Sequence, residues 1–503
     1  MSDERESIHG EWSGSFSFFL AASGAAVGLG NIWKFPYVVG ENGGGAFILF
    51  YLLFLLLIGV PLLMSEVLIG RRGRQSPVNS FYILASEDQK NRRWAWLGGL
   101  SAIAGFLILS YYSVVAGEVM AYTVRAASGS FTNQSADGIQ SIYNAFRTNP
   151  EGLLAWHTIF MVITCIIVAR GVRHGLEKTV KLLLPIIILI LLATVAYSVT
   201  TGSFVEGASY LVDFDFKKMF FSRDNAGAYL LDSHGQYQFT FKGILAAMGH
   251  AFFTLSIGVG VMIIFGSYLA RNVSITRVCV SVAVVDTLIA LLAGLAIFPI
   301  VFSYGLSVAQ GPGLVFTTLP IAFGTMSYGN LIGAIFFLLL FLAALTSAIA
   351  LIEPAVTWVI EKRRIGRVNA VIWVGIGCWL LGIVSVFSLS GITLRQMLYN
   401  LSSYIDISDI DIRHRIFDLT GFQILDGIVT LVILPLVGLL IAVFAGWIMS
   451  PESSSAELNC RKPLQYRIWH IMVRYVTPVL ILAIFISGLI EWVGKYLLYQ
   501  PVS

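Results

Sequence analysis

Near its start the chain reads Gly24-Ala25-Ala26-Val27-Gly28-Leu29-Gly30-Asn31, a glycine-rich stretch inside an apolar run. A later run repeats the pattern. Ala26-Val27-Gly28-Leu29-Gly30 and Ser256-Ile257-Gly258-Val259-Gly260 both read small, aliphatic, glycine, aliphatic, glycine. Glycine weakens a helix, and an unwound turn inside a membrane exposes carbonyl and amide groups that cost several kcal/mol each unless something binds them. Carbonyl oxygens accept a cation such as sodium. Amides at the start of the half-helix beyond a break lie at its positive dipole end and bind a carboxylate. Asn31, Thr254, Ser256, Thr346 and Ser347 add neutral side-chain oxygens on otherwise apolar stretches. Most serines and threonines in membrane helices bond back to the i−4 carbonyl. These five lie beside the breaks or form an adjacent pair. One glycine-rich segment alone reads as close helix packing. Two matched segments point to a pair of discontinuous helices around a binding site.

The elements that must hold these residues are membrane helices. The chain has 503 residues, 57% hydrophobic and 12% charged. Its mean hydropathy is +0.81. A soluble domain carries about 25% charged residues, and charge is expensive in hydrocarbon. About 20 mostly apolar residues cross a bilayer, which predicts eleven spans: 15–38, 45–69, 96–125, 154–170, 179–200, 241–267, 275–303, 328–360, 367–388, 424–449 and 468–497. Every second loop is basic: Arg71, Arg72, Arg74, Lys90, Arg92 and Arg93; Arg170, Arg173 and Lys178; Arg271 and Arg277; Lys362, Arg363, Arg364 and Arg367; Arg461, Lys462 and Arg467. The excess of basic residues on cytoplasmic loops places the N-terminus in the cytoplasm and the C-terminus outside, in a plasma membrane. The loops 126–153, 201–240 and 389–423 then lie outside, with Asp213, Asp215, Asp406 and Asp409.

The fold class expected is an all-α polytopic membrane protein with a single transporter domain over 1–503. Glycine-broken helices 1 and 6 run in opposite directions, which predicts a 5+5 inverted repeat: 1–200 with helices 1–5, 241–449 with helices 6–10, and an extra helix 11 at 468–497. The polar start of the chain has no apolar core of a signal peptide. The net charge of +4 gives no reason to expect nucleic-acid binding. Cys165, Cys279, Cys378 and Cys460 show no CxxC or metal-ligand spacing and read as small buried hydrophobes. The sequon Asn133-Gln134-Ser135 falls in an outside loop.

In order along the chain, Gly24 to Pro36 (GAAVGLGNIWKFP), Glu41 to Phe47 (ENGGGAF), Phe252 to Ser256 (FFTLS), Gly311-Pro312-Gly313-Leu314 with Leu319-Pro320, and Leu345-Thr346-Ser347 closely resemble the neurotransmitter:sodium symporter family, in its bacterial eleven-helix, leucine-transporter-like branch. The resemblance implies two sodium sites. One comprises Ala26, Asn31, Thr254 and Asp286 with the substrate carboxylate; the other Gly24, Val27, Ala343, Thr346 and Ser347. It implies an amino-acid pocket of Ala26, Gly30, Ile108, Tyr112, Phe253, Thr254, Ser256, Val259, Ser347 and Leu351, with Tyr112 bonding the carboxylate. Gly28 stands where monoamine-carrying relatives have aspartate, so the expected substrate brings its own carboxylate. Val259 stands where some relatives have phenylalanine, which enlarges the pocket. Aromatic residues on helices 3 and 6 are equally read as ordinary core.

Ionisable groups within the spans are functional candidates. The resemblance implies an outer gate of Lys34, Phe253 and Asp426, with Asp418 competing for the last place. Lys34 departs from the usual arginine and lacks its planar fork. Asp286 replaces an asparagine of many relatives and Ala290 replaces a serine of chloride-dependent ones. A fixed carboxylate there balances sodium without chloride. Glu66 resembles a glutamate that accepts amides of the unwound segments. His250 replaces a glutamine and reads as a hydrogen-bonding spectator or a pH-sensitive neighbour. Glu118 and Glu353 also lie within spans. Trp12, Tyr268 and Glu361 resemble an inner gate; its arginine is absent and His9 takes that place. Gly175 and Pro185 have the spacing by which relatives unwind helix 5, and an ordinary proline kink fits the same residues.

These readings lead to sodium-coupled, chloride-independent symport of a neutral, hydrophobic or aromatic amino acid into the cell by alternating access. A channel or substrate-sensing receptor on the same scaffold is the alternative. No enzyme motif is visible. Sodium ions, two in number, are coupling ligands and no other cofactor is expected. The partners are the amino acid, sodium and membrane lipid, with no obligate protein partner and no nucleic acid.

Overall fold

The computed structural model describes residues 5, 7–200, 202–224, 227–306, 313–393, 396, 419–458 and 463–496, with 494–496 as backbone alone. Gly311, Pro312, Asp406, Asp409, Asp418, Cys460, Arg461 and Lys462 lie outside the described residues.

Apolar side chains on every face leave the backbone to satisfy its own polar groups, and the helix does so within one segment. The first span is a bent pair, α1 (Ser15–Ala26) and α2 (Gly30–Glu41), which meet at 53°. Then follow α3 (Gly45–Gly73), α4 (Arg92–Ala127), α5 (Pro150–Ala169) and α6 (Val172–Val199). The next span is again interrupted: α7 (Lys242–Phe253) and α8 (Val261–Ser267) flank a non-helical turn at 254–260. The remainder are α9 (Ile275–Ser303), α10 (Gly329–Arg363), α11 (Arg367–Leu389), α12 (Gly421–Ile448) and α13 (Pro463–Val493). Among the described residues, nine helices are long and apolar enough to cross a membrane and the bent pair makes a tenth span. The interrupted α7–α8 segment occupies the place of the expected helix 6.

The core is central rather than one-sided. The apolar window of α10 is 83% buried inside the protein, against 11% for α13. The most extensive helix pairing is α4 with α10, and α8 packs closely on α3. Helix α13 lies at the edge, against α12.

The breaks have different causes. At the first, Val27 leaves the helical region (ψ 103°) after capping to Ser23. At the second, Ser256, Gly258 and Gly260 all take left-handed backbone, with φ of 53°, 87° and 76°. Glycine reaches that region without penalty, which is why the sequence supplies it twice in five residues. Of the two readings of Gly175 and Pro185, an unwound helix 5 is not what this structure shows. Instead, residues 172–177 form a wider π-helical turn and α6 continues without interruption past Pro185.

Candidate functional site

The breaks face each other around a central cavity of about 210 Å³. All ten residues expected to form the pocket line it: Ala26, Gly30, Ile108, Tyr112, Phe253, Thr254, Ser256, Val259, Ser347 and Leu351. Sequence reasoning missed Ala25, Leu29, Ile257, Thr430 and Leu434, which also line it. The motif at Leu29 and Ile257 was in view, but nothing in the pattern of α12 marks Thr430 or Leu434 as facing a site.

One wall is polar and tightly interlocked. The Asn31 amide donates to Asp286 Oδ1 at 2.7 Å and to the Asp286 carbonyl at 3.3 Å. Thr254 donates its hydroxyl to Asp286 Oδ2 at 2.6 Å. Asn31 Oδ1 accepts the Gly28 amide at 3.2 Å. Asn31 and Asp286 are fully buried in this contact. The structure therefore brings Asn31 of α2 against Thr254 of the second break and Asp286 of α9, each more than two hundred positions away from it.

A second polar group lies between α1 and α10. The Ser347 hydroxyl lies 3.4 Å from the carbonyls of both Ala25 and Val27. Ser256 donates to the same Ala25 carbonyl at 2.9 Å. Thr346 donates to the Ala343 carbonyl at 2.9 Å. Gly24 faces Thr346 and Val180 of α6. Gly24, Val27, Ala343, Thr346 and Ser347 are thus neighbours.

Position 28 has no spare room. A Cβ there would lie 2.7 Å from Ser347 Oγ and 3.4 Å from the Tyr112 hydroxyl. Tyr112 in turn lies 3.5 Å from the Leu29 amide. The second break is held from α3, where Glu66 Oε1 accepts the Gly258 amide at 2.7 Å and Oε2 has no protein partner. His250 lines the cavity, its ring among Phe35, Phe47 and Tyr51 and its Nε2 without a partner.

The two ends of the molecule differ. At the end where α1 begins, Trp12 is buried, donates Nε1–H to the Phe265 carbonyl at 3.0 Å, and packs edge-on against Tyr268. Tyr268 donates to Glu353 at 2.7 Å, which also pairs with Arg367 at 2.5 Å. Glu361 accepts from His9 at 2.8 Å, from the Ser76 amide at 2.7 Å and from Asn79 at 2.7 Å. His9 thus reaches the carboxylate for which the sequence offered no arginine. At the other end Lys34 is exposed and its ammonium lies 6.0 Å above the Phe253 ring. Asp426 is half-buried and bonded to Tyr111. Among the described residues Lys34 and Asp426 form no direct ion pair. Hydrogen bonds thus knit together the N-terminal end, around Trp12, Tyr268 and Glu361, whereas at the other end Lys34 and Asp426 are not directly joined. Glu118, the remaining intramembrane carboxylate, accepts both arms of Arg147 at 3.2 Å near that other end.

A broken first helix, a broken sixth and a shared polar wall are joined by similarity across the whole chain. The sodium:neurotransmitter symporter family profile matches residues 9–138 and 139–417. The chain belongs to this family. It is 34% identical over 485 residues to the sodium-dependent transporter YhdH of Bacillus subtilis, covering 95% of this chain and 97% of the relative. It is 31% identical over 484 residues to a sodium-dependent transporter of Haemophilus influenzae, covering 95% and 98%. The fold matches the crystal structure of MhsT in complex with L-phenylalanine with a TM-score of 0.79 and 37% identity, over 95% of this chain and 99% of that one. The chain is therefore a multi-pass member of a family of sodium-dependent transporters, not of enzymes, and shares the leucine-transporter-like fold.

Proposed function

We propose that this symporter carries a neutral amino acid with a large apolar or aromatic side chain into the cell, coupled to two sodium ions and independent of chloride. The observation that carries the reading is the packing at Gly28. Ser347 and Tyr112 fill the space that an aspartate at position 28 would need, so no side chain there stands in for a substrate carboxylate and the substrate brings its own. Opposite that point Ile108, Val259, Phe253 and Leu351 offer an uncharged wall for a side chain. The similarity to a protein crystallised with L-phenylalanine favours an aromatic one.

In this reading the substrate carboxylate meets the amides beyond the first break and the Tyr112 hydroxyl. The first ion takes the Ala26 carbonyl, Asn31, Thr254, Asp286 and the substrate carboxylate. Shared ligation makes ion and substrate bind together. The second ion takes the Gly24, Val27 and Ala343 carbonyls with the Thr346 and Ser347 hydroxyls. Asp286 supplies the fixed charge that replaces chloride. Each sodium moving inward through about 100 mV contributes roughly 2.3 kcal/mol. Two provide more than ~4 kcal/mol, about three decades of accumulation. Residues 1–200 and 241–449 act as the inverted halves. Lys34, Phe253 and Asp426 close the outer side; Trp12, Tyr268 and Glu361, with His9, close the cytoplasmic side.

Reconstitution into liposomes with labelled phenylalanine, tryptophan, tyrosine, leucine and methionine tests this. Accumulation is expected only with an inward sodium gradient, and it should persist when chloride is replaced by gluconate. Uptake undiminished without sodium rejects the coupling. Ion currents far above substrate flux favour a channel on the same scaffold.

A further inference from the structure

Away from the central cavity, at the N-terminal end of the α1–α6 contact, three polar side chains converge on one carboxylate oxygen. Glu177 Oε1 accepts the Ser17 hydroxyl at 2.9 Å, the Lys181 ammonium at 2.6 Å and the Ser13 hydroxyl. Ser13 and Ser17 hydroxyls are 2.8 Å apart, and Lys181 Nζ is also 3.0 Å from Ser13 Oγ. Glu177 Oε2 is held separately by the Ser13 amide at 3.0 Å. The ammonium therefore touches two side-chain oxygens, Glu177 Oε1 and Ser13 Oγ, and the Ser17 hydroxyl bonds to both of them.

Two features separate this from a simple ion pair. The first is its asymmetry: the Lys181 side chain is 42% exposed and that of Glu177 only 6%. The ammonium can swing into water, but the carboxylate cannot follow. A buried carboxylate stripped of its cation is costly, so another cation is drawn to its place. The second is its position. Ser17 and Gly24 are two turns apart on α1, about 10 Å by helix rise. Both face α6: Ser17 meets Glu177, and Gly24 meets Val180 one turn further along. The packed α1–α6 seam on which Gly24 meets Thr346 and Val180 thus runs on to Glu177. The π-helical turn at 172–177, a feature frequent at functional sites, ends on this residue.

We propose that Ser13, Ser17 and Glu177 form a further sodium site on the route by which the second ion leaves toward the cytoplasm, with the Lys181 ammonium holding the place when no ion is there. This rests on the sodium-coupled reading above. During release, the ion binds Glu177 Oε1 and the two serine oxygens as Lys181 swings out, and the returning ammonium displaces it into water.

The test uses full-length protein in liposomes loaded with graded NaCl, with initial uptake of labelled phenylalanine as the readout. Internal sodium occupies the exit site and slows release. Glu177→Gln weakens the site, and the half-inhibitory internal sodium is expected to rise about fivefold. Lys181→Met removes the competing ammonium, and the same quantity is expected to fall about threefold. A purely structural latch predicts the same direction for both variants, since both break one ion pair. Shifts in the same direction, or none, overturn the proposal. Lys181→Met alters a largely exposed side chain, so it decides the question alone if Glu177→Gln does not fold: a rise or no change overturns the site. Wild-type uptake that ignores the sodium gradient rejects the coupling reading instead.

Discussion

Replacing Gly28 by alanine tests the substrate reading at its tightest point. The added methyl carbon would stand 2.7 Å from Ser347 Oγ, and ordinary contact begins near 3.4 Å. Something must retreat by about 0.7 Å, and a packed core resists such intrusion at about 1–3 kcal/mol. Ser347 cannot yield freely, because its hydroxyl serves the Ala25 and Val27 carbonyls. Movement the other way presses on the Tyr112 hydroxyl, 3.4 Å from the same methyl. Both neighbours belong to the proposed substrate and sodium sites, so the strain falls on binding. Between about fivefold and about 150-fold weaker binding of phenylalanine is expected at saturating sodium. Equilibrium binding of radiolabelled phenylalanine to purified protein reads this directly. Adding Ser347→Gly should relieve the clash while removing one hydroxyl from the second ion, so substrate binding recovers only at raised sodium. Gly28→Ala binding within twofold of wild type refutes the packing argument, and with it the reason for excluding an aspartate.

Three further outcomes are expected. Asp286→Asn removes a carboxylate that accepts from both Asn31 and Thr254, so half-saturating sodium should rise about tenfold and chloride should begin to stimulate uptake. A variant indifferent to both chloride and pH removes the charge-balance role. Lys34→Arg supplies a planar fork for Asp426, so phenylalanine dissociation should slow about fivefold in a washout assay; an unchanged rate argues against these two residues as a gate. Glu361→Ala strips the acceptor shared by His9, Ser76 and Asn79, and hydrogen–deuterium exchange over residues 8–18 should quicken about tenfold or more, while unaltered exchange would show that Trp12 alone seals that end.

The spans were legible because their signal is local: a long apolar run between basic loops needs no partner to be recognised. The breaks were legible for the same reason, through glycines at matched spacing. Contacts were less so. That Asn31 would meet Asp286 follows from no periodicity and entered through family resemblance; the structure then joined them at 2.7 Å. His9 was legible by position, standing where the resemblance implies an arginine, but whether an imidazole would do that work was not; geometry asks only for a donor within reach, and it lies 2.8 Å from Glu361. Helix 5 shows the limit of a composition argument. Gly175 and Pro185 weaken a helix, yet the surroundings keep α6 wound and place the irregularity at 172–177. The Ser13–Ser17–Glu177 cluster was discoverable only in part: two serines four residues apart mark one helix face, but the facing carboxylate lies in a loop that reads as basic.

An unwound helix in a membrane interior poses a problem whenever no ligand is bound, because its freed carbonyls then have nothing to bind. The geometry around Ala25 indicates how the cost is held down. Its carbonyl accepts from Ser256 at the second break and approaches Ser347 on α10, while the Val27 carbonyl also approaches Ser347. A hydroxyl is both donor and acceptor. Without a cation it gives its hydrogen to a carbonyl; with one, it turns and offers a lone pair alongside that carbonyl. Asn31 has the same choice, since its amide carries donors at one end and an acceptor at the other. The residues that would bind sodium are thus the ones that satisfy the backbone in its absence. Binding then exchanges one set of favourable contacts for another, and the net gain is modest. A transporter needs this economy: an ion held against a bare, unsatisfied backbone would bind too tightly to leave on the other side.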